Sequence, residues 1–167
     1  MRRRKQRPGD EQLLHDETAN VAERASALLR LAADGRSDLI PVAKAWLEHD
    51  DVLLRSEGIN MLLSFWRLEE MVPKVVEMLH HDLDSDVRTM AADALSTFVR
   101  RTEAQKDYIL GEIVAQLERE DDPISQLSIY EALLDHVLPI DQHPKLPYHF
   151  NRDTDVNWDL LAPWRRH

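Results

Sequence analysis

The chain has no cysteine among its 167 residues. That excludes disulfide frameworks, thiolate metal sites and cysteine nucleophiles, and it fits a reducing cytoplasm. Only four glycines are present, and no long stretch alternates apolar and polar residues, so a sheet protein is not expected. No apolar run approaches the ~20 residues of a membrane span. The basic start of the chain is not followed by the apolar core of a secretory signal. No glycine-rich phosphate loop and no nucleophile elbow occurs. With these absences, no constellation of catalytic, metal-ligating or cofactor-binding residues emerges.

What is present in excess is negative charge, with 31 acidic against 21 basic residues and a formal net charge of −10. The imbalance is sharper than that figure. Arg2, Arg3, Arg4, Lys5 and Arg7 concentrate five positive charges in a basic arm, residues 1–10, read as a disordered tail. From residue 10 onward, 16 basic residues face 31 acidic ones, a net −15. A body so acidic repels nucleic acid and anionic membrane and attracts a basic protein. Nucleic-acid binding would then have to use the arm.

The strongest local pattern runs from Asp84 to Arg101. Val87, Ala91, Leu95 and Phe98 fall on one helical face. Asp84, Ser85 and Asp86 provide N-cap chemistry, and Arg100 and Arg101 suit the C-terminal end of the dipole. The unit recurs. Placing Thr18, Asp51, Asp84 and Asp121 in register gives offsets of 33, 33 and 37 residues. The columns that follow are Val21, Leu54, Val87 and Ile124; then Ala25, Gly58, Ala91 and Ser128; then Leu29, Leu62, Leu95 and Ala132; then Ala32, Phe65, Phe98 and Asp135. The small column is expected to face the next repeat, because small side chains permit close helix approach. Weaker helical segments precede the later copies, at 39–47, 71–79 and 108–117, with Pro41 and Pro73 in their first turns. Residues 11–34 supply the first helical material, stopped at Asp34-Gly35.

The proline early in the first helix, the acidic turn and the second-helix pattern "Asp-x-x-Val-Arg-x-x-Ala-x-x-x-Leu" resemble the HEAT-repeat family in its short bacterial form, over residues 17–138. Asp84, Val87, Arg88, Ala91 and Leu95 match fully; Asp51, Leu54, Arg55, Gly58 and Leu62 match conservatively. The resemblance implies an all-α, right-handed α-solenoid of about four helix pairs over 11–138. It implies that Asp51, Arg55, Asp84, Arg88 and Asp121 form a structural ladder between repeats. It also implies that the second helices line a concave face. Contact candidates there are Arg24, Glu57 and Met90; Asn60, Asp93 and Tyr130; Ser64 and Thr97; and Arg67 and Arg100.

Past Leu138 the composition changes. Residues 139–167 hold four of the eight prolines and four of the ten aromatics. This tail is expected to cap the last repeat, with a short helix over 155–161 ended before Pro163 and Trp158 and Trp164 as its contacts; the alternative is that it wraps toward the groove or offers Trp158 and Trp164 to a partner. His49, His80 and His81 sit among aspartates at the turns, but their spacing matches no metal site.

The functional expectation is a non-enzymatic, cytoplasmic protein-binding module with an acidic surface and a basic protein partner. Its concrete form is an inhibitor or immunity protein that neutralises a basic toxin such as a nuclease. A regulatory scaffold is the alternative within that class. An enzyme of the bilin-lyase or DNA-glycosylase kind is the alternative outside it.

Overall fold

The computed structural model describes residues 9–165; of the expected arm at residues 1–10, residues 1–8 lie outside the described residues, while Asp10 is not tail but the buried first residue of a helix, paired with Arg30. Eight main helices form four antiparallel pairs: α1 (Asp10–His15) with α2 (Val21–Ala33), α3 (Ile40–Trp46) with α4 (Val52–Ile59), α5 (Val72–His81) with α6 (Ser85–Thr102), and α7 (Lys106–Arg119) with α8 (Pro123–Val137). No strand occurs among the described residues. The second helices α2, α4, α6 and α8 pack side by side in sequence, and each first helix backs its own partner. The architecture is an all-α solenoid.

Local chemistry explains where each helix starts. Pro41, Pro73 and Pro123 occupy the first turns of α3, α5 and α8, where a missing N–H leaves nothing unpaired. Every second helix opens on a side-chain cap. Asn20, Asp51 and Asp84 accept N–H bonds from the residue two places on, each at 2.9 Å, and Asp122 accepts from Ser125 at 2.7 Å.

These caps correct the register of both terminal copies. The first is capped by Asn20, not Thr18, and the fourth by Asp122, not Asp121, so the repeat spacings are 31, 33 and 38 residues. Aligned on the caps, the fourth residue on is Arg24, Arg55, Arg88 and Gln126. The eighth is Leu28, Ile59, Ala92 and Tyr130, and the eleventh is Leu31, Leu62, Leu95 and Leu133. The last two columns are all buried. Two residues from the expected columns consequently face solvent, Leu29 at 45% exposure and Ile124 at 76%.

Phe65 is exposed for a different reason. α4 does not end at Ile59 but continues as a π-helical segment, Asn60–Phe65. The wider π turn rotates its last residues away from the α-helical phase. Phe98, the matching residue on the regular α6, is 1% exposed, whereas Phe65 is 39% exposed. Full burial of a Phe side chain contributes about 1.5–3 kcal/mol, so the π segment forgoes much of that stabilisation.

Within the small column, Gly58 packs tightly, but not where expected. A Cβ on Gly58 would lie 2.9 Å from the Ala43 carbonyl oxygen and 3.3 Å from Trp46 Cβ. Its close neighbour is therefore α3 of its own pair, not the next repeat. Ser128 is half-buried and donates to the Ile124 carbonyl at 3.1 Å.

The tail folds as two four-residue helices, α9 (Arg152–Asp155) and α10 (Trp158–Leu161), rather than one over 155–161. Pro163 lies inside a 3-10 turn, Ala162–Trp164, instead of beyond the last helix. Phe150, Val156 and Leu161 are buried against the fourth pair. Phe150 lies over Tyr130 with ring centroids 5.8 Å apart, and the Asn157 N–H donates to the Tyr130 hydroxyl at 3.1 Å. Arg152 donates to the carbonyls of Glu118 at 2.7 Å and Glu120 at 3.1 Å, which serves the C-terminal end of α7. Trp164 Nε1 donates to Asp107 at 3.1 Å, and Arg165 lies 4.7 Å from the centre of the half-buried Trp158 ring.

Replacing glycine by alanine inside a helix normally stabilises by about 1 kcal/mol. Gly58→Ala is expected to do the opposite, destabilising by about 1–3 kcal/mol, because the new methyl meets a backbone carbonyl that cannot rotate away. Thermal unfolding of the variant checks this. Arg67, at φ 56°, closes the second repeat in the left-handed conformation, a role Gly35 performs in the first repeat at φ 90°. Arg67→Gly should therefore raise stability by roughly 0.5–1 kcal/mol, the relieved backbone strain outweighing the freer unfolded chain. Denaturant midpoints measure the gain.

Candidate functional site

The second helices carry two separate polar systems, one at the turns and one on the open face. The turn system is a ladder of arginines. Arg55 donates to the carbonyls of His49 at 2.9 Å and Asp50 at 3.0 Å, and makes a two-pronged bond to Asp82 of the next pair, 2.9 Å on each arm. Arg88 repeats the pattern on the carbonyls of Asp82 and Leu83 and on Glu120, at 2.8 and 2.6 Å. The carboxylates that meet the arginines are therefore Asp82 and Glu120. Asp51 and Asp84 cap helices instead, and Asp121 is an exposed turn residue. Gln126 completes the column by donating to the Glu120 carbonyl at 2.7 Å.

Arg24 belongs to this ladder and not to the concave face. It is buried at 6% exposure, donates to the Leu14 carbonyl at 3.3 Å and stands 5.9 Å from the centre of the Trp46 ring. Two residues before the next cap, where the later repeats have Asp82 and Glu120, this junction has His49. Its Nδ1 accepts the Asp51 N–H at 2.9 Å, and Arg24 Nε has no hydrogen-bond partner. His80 is also engaged: Nε2 is 2.7 Å from Glu112 and Nδ1 is 3.2 Å from Gln116, with Arg119 beside it. Among the described residues no group of three potential metal ligands gathers.

Tyr130, expected on the open face, is 1% exposed and forms the floor under the tail. Its place in the cap-aligned column, with Leu28, Ile59 and Ala92, explains the burial. Thr97 is also buried, at 8% exposure, with its Oγ1 accepting from Arg100 at 3.2 Å; Ser64 is half-buried, and the remaining candidates lie on or near the surface. Asp93, Arg67 and Arg100 are exposed, and Glu57, Asn60 and Met90 are half-buried. Asn60 Nδ2 lies 3.5 Å from Glu57, and Arg100 pairs with Asp135.

Between α6 and α8 the open face deepens into a cleft of about 460 Å³. Asp86, Thr89, Met90 and Asp93 form one wall, and Ser128, Glu131, Ala132 and Asp135 the other. His143 stands at one end. Ser96 ties the walls together beneath, its hydroxyl donating to the Ala132 carbonyl at 2.9 Å. Four carboxylates thus line one cleft, and Asp135 alone among them is ion-paired within the described residues. Burial by the surrounding protein pushes the Asp93 carboxyl above the usual range; Arg100 pulls against this, and Asp135 adds to it.

Alignment on Asp121 places the fourth copy one residue out of register and leaves Glu131 and Asp135 outside the contact columns. With Asp122 as the cap, Glu131 shares the column of Asn60 and Asp93. The signal was available in Pro123, which favours the first helical position and so marks Asp122 as the cap.

This geometry defines an α-solenoid of short helical hairpins joined by an arginine–carboxylate ladder, with a second-helix face open for contact. A family model described as HEAT repeats matches residues 11–96, just over half of the chain, and the chain belongs to the HEAT-repeat family. Comparison with curated proteins and with solved structures brought no match. HEAT repeats generally mediate protein–protein interaction and are typically non-catalytic. No described helix is long and apolar enough to cross a membrane.

Glu120 sets a pH dependence. It is 2% exposed, and burial alone would raise its pKa. The bonds from Arg88, Gln116 and the Asp122 N–H outweigh that and bring it from 4.5 down to about 2. A carboxyl whose folded pKa is depressed contributes stability above its unfolded pKa, which disappears as pH falls through the folded value. The fall should therefore run from about pH 4.5 to about pH 2, and from the shift amounts to on the order of 3 kcal/mol. Thermal unfolding across that window should show a shallower slope in Glu120→Gln than in the parent, alongside a lower midpoint at neutral pH.

Proposed function

We propose that this chain is a non-enzymatic, cytoplasmic binding module that holds a basic protein on the face of its second helices. Its concrete form is an inhibitor that neutralises a basic toxin, such as a nuclease, by covering the toxin's nucleic-acid-binding surface. The observation that carries the reading is the α6–α8 cleft, where Asp86, Asp93 and Glu131 make no ion pair among the described residues. An arginine or lysine entering between these walls would relieve their mutual repulsion. The body's net −15 from residue 10 onward supports the same reading, since such a field steers a basic partner toward the cleft. A regulatory scaffold would use the same surface with a different biological outcome. The acidic walls oppose a DNA-handling enzyme, which needs positive charge along its contact face.

Reversing Asp93 and Glu131 to Lys is expected to slow association with the captured partner by about tenfold or more, with little change in unfolding midpoint because both side chains are exposed. Surface-plasmon kinetics at low and high salt measure this. Shortening the Debye length from ~10 Å at 0.1 M to ~3 Å at 1 M should slow the parent and scarcely affect the variant. An acidic partner, or an association rate indifferent to both salt and reversal, rejects the reading.

A further inference from the structure

We infer that the end of α4, at Phe65, Trp66 and Arg67, is a second docking point, distinct from the acidic cleft, for an acidic peptide segment that carries a large apolar side chain. The inference starts from Phe65. Its counterpart in the third repeat, Phe98, is buried, whereas the π-helical segment turns Phe65 toward solvent. Trp66 stands edge-on to it with ring centroids 6.0 Å apart and is itself only half-buried. Two aromatic rings thus form a raised apolar corner on a molecule whose other phenylalanines, Phe98 and Phe150, are buried.

The charge around this corner is opposite to that of the cleft. Arg67 is exposed and makes no ion pair within the described residues. Arg101, one repeat further on, reaches across to the same turn and donates to the Ser64 carbonyl at 2.8 Å, without a carboxylate partner. The neighbouring acids are engaged elsewhere: Glu69 accepts from Gln105 at 3.0 Å, and Glu70 lies 3.7 Å from Lys44. In a chain with 31 acidic residues, two guanidinium groups beside these rings have no carboxylate partner among the described residues. The occupant that satisfies both features carries its own carboxylate next to an apolar side chain. The ring would pack on Phe65 and Trp66, and the carboxylate would bridge Arg67 and Arg101.

The test is a two-probe titration of the full-length, ¹⁵N-labelled protein followed by NMR. The first probe is the peptide acetyl-Asp-Glu-Phe-Leu-Glu-Asp-amide, and the second is its basic twin, acetyl-Lys-Arg-Phe-Leu-Arg-Lys-amide. The acidic peptide should shift the Trp66 indole signal, identified with a Trp66→Phe variant, and the backbone amides of residues 64–68 and Arg101. Its apparent affinity should fall about tenfold or more in Phe65→Ser and in the Arg67→Glu/Arg101→Glu double variant, with unfolding midpoints monitored alongside. The basic twin should shift amides around Asp86, Asp93 and Glu131 instead, and both corner variants should leave that response intact. No movement of Trp66 with the acidic peptide overturns the inference, as do shifts that persist in both variants. Concentration-dependent movement of the same signals without peptide also overturns it, because a second copy is then the occupant. A basic twin that leaves the cleft unmoved counts against the proposed function and not against the corner.

Discussion

The side chain of Glu120 holds the C-terminal half of the molecule together. It is almost wholly buried, yet it keeps its charge because Arg88 grips both oxygens, Gln116 donates at 2.8 Å, and the N–H groups of Asp121 and Asp122 turn toward it. Its own carbonyl accepts from Gln126 and Arg152. One residue therefore joins the third repeat, the fourth repeat and the tail. A buried carboxylate is tolerable only when its lone pairs are taken up this completely. The turn geometry, the start of α8 and the seat of Arg152 follow from that requirement. Asp82 performs the same task one repeat earlier with Arg55 and the Asp84 N–H.

Concentrating the paired charges at the turns leaves the open face of the second helices differently constituted. The acids there are not needed to hold repeats together, and Asp86, Asp93 and Glu131 make no ion pair among the described residues. Phe65 and Trp66 are not drawn fully into the core. The Arg55 and Arg88 rungs at the turns are matched by carboxylates, whereas three of the four cleft carboxylates make no ion pair among the described residues. Binding energy is available where self-repulsion or exposed apolar surface can be relieved. The tail closes the stack, with Phe150 and Val156 occupying the side on which a fifth repeat would otherwise dock.

Much of this organisation is legible residue by residue. Val87, Ala91, Leu95 and Phe98 mark α6 by spacing alone, and all are buried. Pro41 and Pro73 place the starts of α3 and α5. The terminal copies are harder to read because two polar residues compete for each cap. Thr18 lies two residues before Asn20 and Asp121 lies beside Asp122; Pro123 favours Asp122 in the fourth copy, but no such mark separates Thr18 from Asn20 in the first. The choice is made by which backbone N–H groups each side chain can reach. Once made, it moves Arg24 and Tyr130 from the surface into the interior and brings Glu131 to the cleft.

By itself the sequence determined the all-helical class, the pairing of helices and the acidity of the body. These depend on periodicity, propensity and charge, which are properties of short stretches. The partners of Arg55 and Arg88, 27 and 32 residues away along the chain, were decided only by the stacking of one pair on the next. So was the seat of Gly58 against its own pair, because close approach depends on the angle between two helices and not on either alone. The outward turn of Phe65 was decided the same way. Its spacing is that of a core residue, and only the π-helical hydrogen-bonding of Asn60–Phe65 within the packed structure rotates it into solvent.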